Sequence, residues 1–171
     1  MSDAPSLLEK LSTEEVSRFI SPPPTTVEGY ERFIQWTHQQ RAAGKGIVFG
    51  IVPKGCDGAV GLIQMRSLET TMDTVEWGFA LGSSFWGMGV FMASALEVLQ
   101  FAFDVVGVRR VEARACVANG RGNGVLHKLG AACEAVLRQS FVKNGERQDQ
   151  YLWAMQADDW SLRRDRKMIV H

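Results

Sequence analysis

Val75-Glu76-Trp77-Gly78-Phe79-Ala80-Leu81-Gly82-Ser83-Ser84-Phe85-Trp86-Gly87-Met88-Gly89-Val90 decides the fold of this 171-residue chain. The stretch passes from an apolar strand into a short glycine-bearing turn and then into a long amphipathic helix. A glycine turn at a helix start leaves backbone N–H groups unpaired and converging on one spot. With the positive end of the helix dipole, those donors form a seat for phosphate or pyrophosphate. The segment lacks the Lys-Ser/Thr pair of a nucleotide-hydrolysing P-loop. It also lacks the third glycine and the early strand–helix–strand setting of a dinucleotide fingerprint.

The surrounding sequence supplies the context. Ser6 to Ile20 reads as helix, with Leu7, Leu8, Leu11, Val16, Phe19 and Ile20 as candidate buried positions; Ser12-Thr13-Glu14-Glu15 is a second cap, so one helix or two are both open. Ser21-Pro22-Pro23-Pro24 stops it. Thr26 caps a further helix, Val27 to about Ala43, with Tyr30, Phe33, Ile34 and Trp36 at helical spacing, and Trp36 reads as core rather than ligand cage. Ile47–Val52, Ala59–Leu68 and Thr74–Leu81 read as strands, followed by a helix from Met88 to Phe103. Arg110–Val117 alternates as a strand, Asn119-Gly120-Arg121-Gly122 reads as a loop, and Asn123–Leu129 as a short helix. Two strands, Glu134–Val142 and Gln148–Met155, close on the Lys143–Glu146 hairpin turn. The pattern predicts one α/β (α+β) domain over residues 1–171, built on a mixed, mostly antiparallel sheet with helices on both faces. Within it, 1–46 is a helical segment, 47–155 the sheet core, and 156–171 a tail expected to fray beyond Trp160.

Composition narrows the class. Apolar residues make up 46% of the chain and charged residues 22%, as in an ordinary globular protein. Nineteen basic residues offset nineteen acidic ones, which gives no reason to expect nucleic acid or an anionic membrane as partner. No apolar run approaches the ~20 residues that span a bilayer, and the first residues lack a secretory pattern. Cys56, Cys116 and Cys133 are odd in number and far apart, and with three histidines they form no metal signature. The expectation is a cytoplasmic protein with reduced thiols, no metal, and His38, His127 and His171 on the surface.

The ordered motifs carry a resemblance. Glu76, Gly78, Phe79, Phe85, Trp86, Gly87 and Gly89 match Glu-x-Gly-Phe/Tyr … Tyr/Phe-Trp-Gly-x-Gly. Asn119, Val125, Leu126, Lys128, Leu129 and Gly130 match most of Asn-x-x-Ser-x-x-Val-Leu-x-Lys-Leu-Gly-Phe. Asn144-Gly145 and Asp149 echo a third motif. On these residues, roughly Val75 to Met155, the chain resembles the Gcn5-related N-acetyltransferases (GNAT), in the branch of ribosomal-protein N-terminal acetyltransferases (RimJ/RimL-like).

The resemblance implies acetyl-CoA as cosubstrate and direct acetyl transfer to a primary amine in a ternary complex. The amine is a protein N-terminus or a small molecule such as a metabolite or aminoglycoside, and a homodimer is compatible. It implies that the Thr74–Leu81 strand splays from Arg110–Val117 and offers Phe79, Ala80 and Leu81 to pantetheine. It implies that Trp86, Gly87, Met88, Gly89 and Val90 receive the pyrophosphate and that Asn119 and Asn123 reach the cofactor. It places 1–46 on the acceptor side and the cofactor on 47–155, with Glu76 the candidate base, weighed against a solvated strand carboxylate or an ion pair with Arg114, and Tyr151 the candidate acid, weighed against a core or rim residue. Trp77 is expected in the core or lining an acceptor pocket, and Cys116 as a small buried hydrophobe. Three departures stand out: Ser84 replaces a basic or glutamine residue, Gly122 replaces the motif serine, and no strand precedes the first helix. They keep a second class in view, a non-catalytic acyl-CoA-binding or interaction module on the same scaffold.

Overall fold

The structure, a computed structural model, describes residues 2–168. Six strands form one open mixed sheet in the order β1-β2-β3-β4-β6-β5. The strands are β1 Gly46–Ile51, β2 Gly61–Ser67, β3 Thr74–Leu81, β4 Arg110–Cys116, β5 Ala132–Lys143 and β6 Glu146–Gln156. Helices α1 Ala4–Leu11, α2 Glu14–Ser17 and α3 Val27–Ala42 precede β1, α4 Val90–Gln100 and α5 Gly120–Leu129 lie between strands, and α6 Ala157–Met168 follows β6. Among the described residues no strand precedes α1. Among the described residues no helix is long and apolar enough to cross a membrane.

The described residues group into two compact units. The first holds the chain up to Arg66 together with Trp77–Ala95. The expected first helix resolves into α1 and α2, because Thr13 takes an extended backbone (φ −67°, ψ 147°) between them. Pro5 stands in the first turn of α1, where its missing N–H is harmless. Thr26 caps α3 by accepting a hydrogen bond from the Gly29 amide at 3.0 Å. Leu7, Leu11, Val16 and Tyr30 pack with Ala59 and Ala80 into one core cluster, with Phe33 and Ile34 at its margin. Trp36, expected in the core, is 47% exposed and stacks on Phe33 instead, since the buried stripe of α3 runs through Tyr30 and Thr37. β1 pairs antiparallel with β2 from Gly46↔Arg66 to Ile51↔Gly61.

The second unit takes Ser67–Glu76 and the chain from Leu96 on. β3 runs parallel to β4 through Thr74↔Arg110, Val75↔Val111 and Glu76↔Glu112, and β4 runs antiparallel to β6 along its full length. The β5–β6 hairpin turns on Asn144 (φ 51°) and Gly145 (φ 80°), the positive pair a two-residue primed turn requires. The buried face of α4, with Phe91, Ala95, Val98 and Leu99, agrees with the expected stripe, but the helix ends at Gln100 and widens into one π turn, Phe101–Val106. The segment expected to fray is α6 as far as Met168: two acidic residues sit in its first turn, and buried Trp160 stacks on Phe103 at 5.7 Å. His171 lies outside the described residues.

Candidate active site

The candidate site residues fall into two groups, one in each unit. In the first, β3 leads into the glycine turn. The Gly82 amide donates to the Val60 carbonyl at 2.9 Å, so alternate residues of β3, including Ala80, direct their backbone groups to β2. Phe79 and Leu81 direct theirs to the other edge. The three residues expected to meet pantetheine therefore do not share one edge, and Ala80 is also buried in the core. On that outer edge the parallel ladder to β4 covers only Thr74–Glu76, although both strands continue beyond it.

Trp86 closes the turn. Its indole Nε1 donates to the Leu81 carbonyl at 2.9 Å and its backbone N–H to Ser83 at 3.1 Å. Its two N–H groups thus build the turn rather than face an anion. Gly87 and Gly89 adopt left-handed backbone, φ 77° and 78°. A Cβ at either position would meet nothing within 4 Å, so glycine is required here by conformation and not by crowding. The first bond of α4 runs from the Ala93 amide to the Gly89 carbonyl at 3.1 Å. The amides of Val90, Phe91 and Met92 consequently have no acceptor inside the helix. Gly87, Met88 and Gly89 are exposed, which leaves that helix end accessible.

In the second unit Glu76 Oε1 lies 3.2 Å from Arg114 Nη1. The Glu76 side chain is 20% exposed, and the ion pair weighed from the sequence is formed. Glu76 pairs with Glu112, which shares a sheet face with Arg114, whereas Tyr151 pairs with Ala115 on the opposite face. The candidate base and acid therefore stand on different faces of the sheet. Tyr151 packs edge-on against Trp153, ring centroids 6.3 Å apart. Cys116 is fully buried, and burial pushes its thiol above the usual range, as suits a small hydrophobe rather than a nucleophile. Trp77 is buried, and His38 and His127 are exposed.

The loop expected before α5 belongs to the helix, whose cap is Asn119. Asn119 Oδ1 accepts from the Gly122 amide at 2.9 Å. Asn123 donates from Nδ2 to the Cys116 carbonyl at 2.9 Å and to the Val117 carbonyl at 3.3 Å. Its Oδ1 accepts from Trp153 Nε1 at 2.9 Å. Both ends of the Asn123 amide are engaged by the protein. Asp149 Oδ1 accepts from the amide of Gln139, whose φ of 52° marks an irregularity in β5. Among the described residues no group of three His, Cys, Asp or Glu could hold a metal ion.

A family model described as an acetyltransferase (GNAT) domain matches residues 1–132. Fold and family match together define an acetyltransferase: the chain belongs to the GNAT family. It is similar to the uncharacterized N-acetyltransferase p20 of Bacillus licheniformis, 24% identical over 156 residues, 91% of this chain and 88% of that protein. RimJ of Mycobacterium smegmatis, solved in complex with CoA-disulfide, shares the fold with a TM-score of 0.82 at 20% identity, covering 92% of this chain and 78% of that one. The ribosomal-protein-S5-alanine acetyltransferase of Vibrio fischeri gives a TM-score of 0.77 at 18% identity, covering 92% and 91%. At these identities the two solved structures speak to the fold.

Proposed function

We propose that this acetyltransferase uses acetyl-CoA and passes the acetyl group directly to a primary amine, either a protein N-terminus or a small-molecule amine, within a ternary complex. The observation that carries the reading is the left-handed Gly87–Gly89 turn at the open end of α4. It presents the Val90, Phe91 and Met92 amides to an anion, directly after a strand whose outer edge carries the Phe79 backbone. Those groups suit the two ends of the donor: helix amides for a pyrophosphate, strand edge for the amide-bearing pantetheine arm. With Ser84 at the start of the motif, the seat relies on backbone donors. The thioester supplies an activated acetyl group and a thiolate leaving group.

The acceptor must be neutral to attack, and amines with pKa values of about 8–10 are mostly protonated at neutral pH. Glu76 is the base in this reading, and Arg114 orients its carboxylate at 3.2 Å. Tyr151 stands on the opposite sheet face and cannot serve the same thioester carbon as Glu76, so in this reading the thiolate leaves without it and takes its proton from solvent. A relative from Bacillus subtilis, named a putative ribosomal N-acetyltransferase and 24% identical over 83% of this chain, favours an N-terminal amine as acceptor.

The binding-module reading is favoured by one observation, the absence of a hydroxyl at Gly122. Calorimetry with acetyl-CoA followed by thiol release across an amine panel separates the two. Binding with amine-dependent release supports the transferase, and binding without release against any amine supports the module. Glu76→Gln is expected to bind acetyl-CoA normally and to turn over about 100-fold more slowly. Unchanged turnover would remove Glu76 as base.

A further inference from the structure

Glu76, Arg114 and Gln150 form a diagonal row across three strands of the second unit, all on one face of the sheet. Glu76 on β3 pairs with Glu112, and Arg114 stands two residues further along β4. Arg114 pairs with Leu152, and Gln150 stands two residues away on β6, opposite Cys116. Diagonal neighbours on one face of an antiparallel pair lie about 7–8 Å apart. Two members of the row leave hydrogen-bond donors unused. The Arg114 guanidinium carries several N–H donors, its side chain is 40% exposed, and among the described residues its only partner is Glu76, 3.2 Å away. Gln150 is 9% exposed, and its Oε1 accepts from Ser140 Oγ at 3.0 Å. The irregularity of β5 between Leu137 and Phe141 brings that hydroxyl to it. Among the described residues Nε2 of Gln150 has no partner. A donor left unanswered in so buried a place is unfavourable and calls for an acceptor.

The spacing of the row matches an extended peptide that begins at Glu76. In an α-amino acyl group the amine nitrogen and the carbonyl oxygen sit on adjacent carbons, so a carboxylate and a guanidinium 3.2 Å apart meet both at once. In an extended chain the carbonyls of the first and third residues point the same way, about 6.6–6.8 Å apart, which is twice the rise per residue. That is close to the step from Arg114 to Gln150. We infer that this row reads the main chain of the acceptor: the N-terminal amine sits at Glu76, Arg114 donates to the first carbonyl, and Gln150 Nε2 donates to the third. The acceptor is then a peptide of at least three residues, recognised through its backbone, and not a lone amine. The inference rests on the acetyl-transfer reading given above and names the substrate class of that site.

The test uses the full chain with acetyl-CoA and follows thiol release. The acceptors are trialanine amide, alanine amide and isopropylamine, with kcat/KM expressed per concentration of neutral amine. Isopropylamine keeps the branched amine of alanine and has no carbonyl. The wild type is expected to prefer trialanine amide to alanine amide about tenfold, and alanine amide to isopropylamine by a similar factor. Gln150→Met keeps the side-chain volume and is expected to bring the first ratio close to one. Arg114→Met is expected to bring the second close to one, beyond any general slowing that follows from the loss of its contact with Glu76. A merely structural role would slow all three acceptors by one factor and leave both ratios unchanged, which would overturn the inference. Wild-type ratios within about twofold of one would overturn it as well, and that comparison needs no variant to fold. Bound acetyl-CoA with no thiol release for any of the three would overturn the acetyl-transfer reading itself, and this inference with it.

Discussion

A Cβ on Gly122 would lie 2.6 Å from Nδ2 of Asn119, so the cap on α5 and the missing side chain at residue 122 are one feature. Asn119 folds over the helix start into space that a serine would occupy. The departure from the family motif is thereby explained in part: without the hydroxyl, the cap closes tightly. Gly122→Ser is expected to displace the cap and lower stability by about 1 kcal/mol. It is expected to weaken CoA binding without raising turnover. Denaturant melts and thiol release check this, and faster turnover at unchanged stability would show that the site had lacked a hydroxyl.

The glycine turn makes a separate claim. Gly87 and Gly89 have positive φ and open space around them, so a side chain meets only a conformational penalty. Alanine at either position is expected to cost about 1–2 kcal/mol, with CoA affinity falling in parallel. Gly87→Asn should be milder than Gly87→Ala, because asparagine visits left-handed backbone more readily. Equal losses for the two variants in thermal melts would point to crowding instead.

Much of this was legible in the sequence, and the reasons differ from place to place. The limits of β3 and the start of α3 follow from strong local signals, a β-branched and aromatic run in one case and the Thr26 cap in the other. The pairing of Glu76 with Arg114 was a foreseeable alternative, because alternation puts charges on one face of each strand. What the sequence did not contain was tertiary. That the Trp86 indole holds Leu81, that Ala80 turns towards β2, and that Glu76 and Tyr151 occupy opposite faces all depend on strand order and register. Asn119 as a cap was obscured by its glycine-rich neighbours, which read as loop. The α6 helix was hidden for a similar reason: its charges suggest solvent, while burial of Trp160 against Phe103 decides the outcome.

Electrostatics give a prediction away from the site. Arg110 donates from Nη1 and Nη2 to the two Glu134 carboxylate oxygens, at 3.0 and 2.5 Å, and these hydrogen bonds hold Glu134 below the ordinary carboxylate range. A carboxyl with a lowered pKa in the folded state contributes stability above its unfolded value of about 4.3, and that contribution is lost as pH falls through the folded pKa. The pair is partly exposed, so the effect is small. Arg110→Gln should return Glu134 to ordinary titration and flatten stability in this acidic window. Carboxyl NMR titration checks it; an ordinary Glu134 titration in the wild type would contradict the pairing.

The central claim is that the start of α4 seats the pyrophosphate of CoA. Its most direct test is to follow backbone amide resonances of the full chain during titration with CoA. The account predicts that the largest shifts fall on Val90, Phe91 and Met92, with Phe79 moving at the strand edge, and that they saturate together. Shifts concentrated elsewhere, with the α4 amides unmoved, would contradict it.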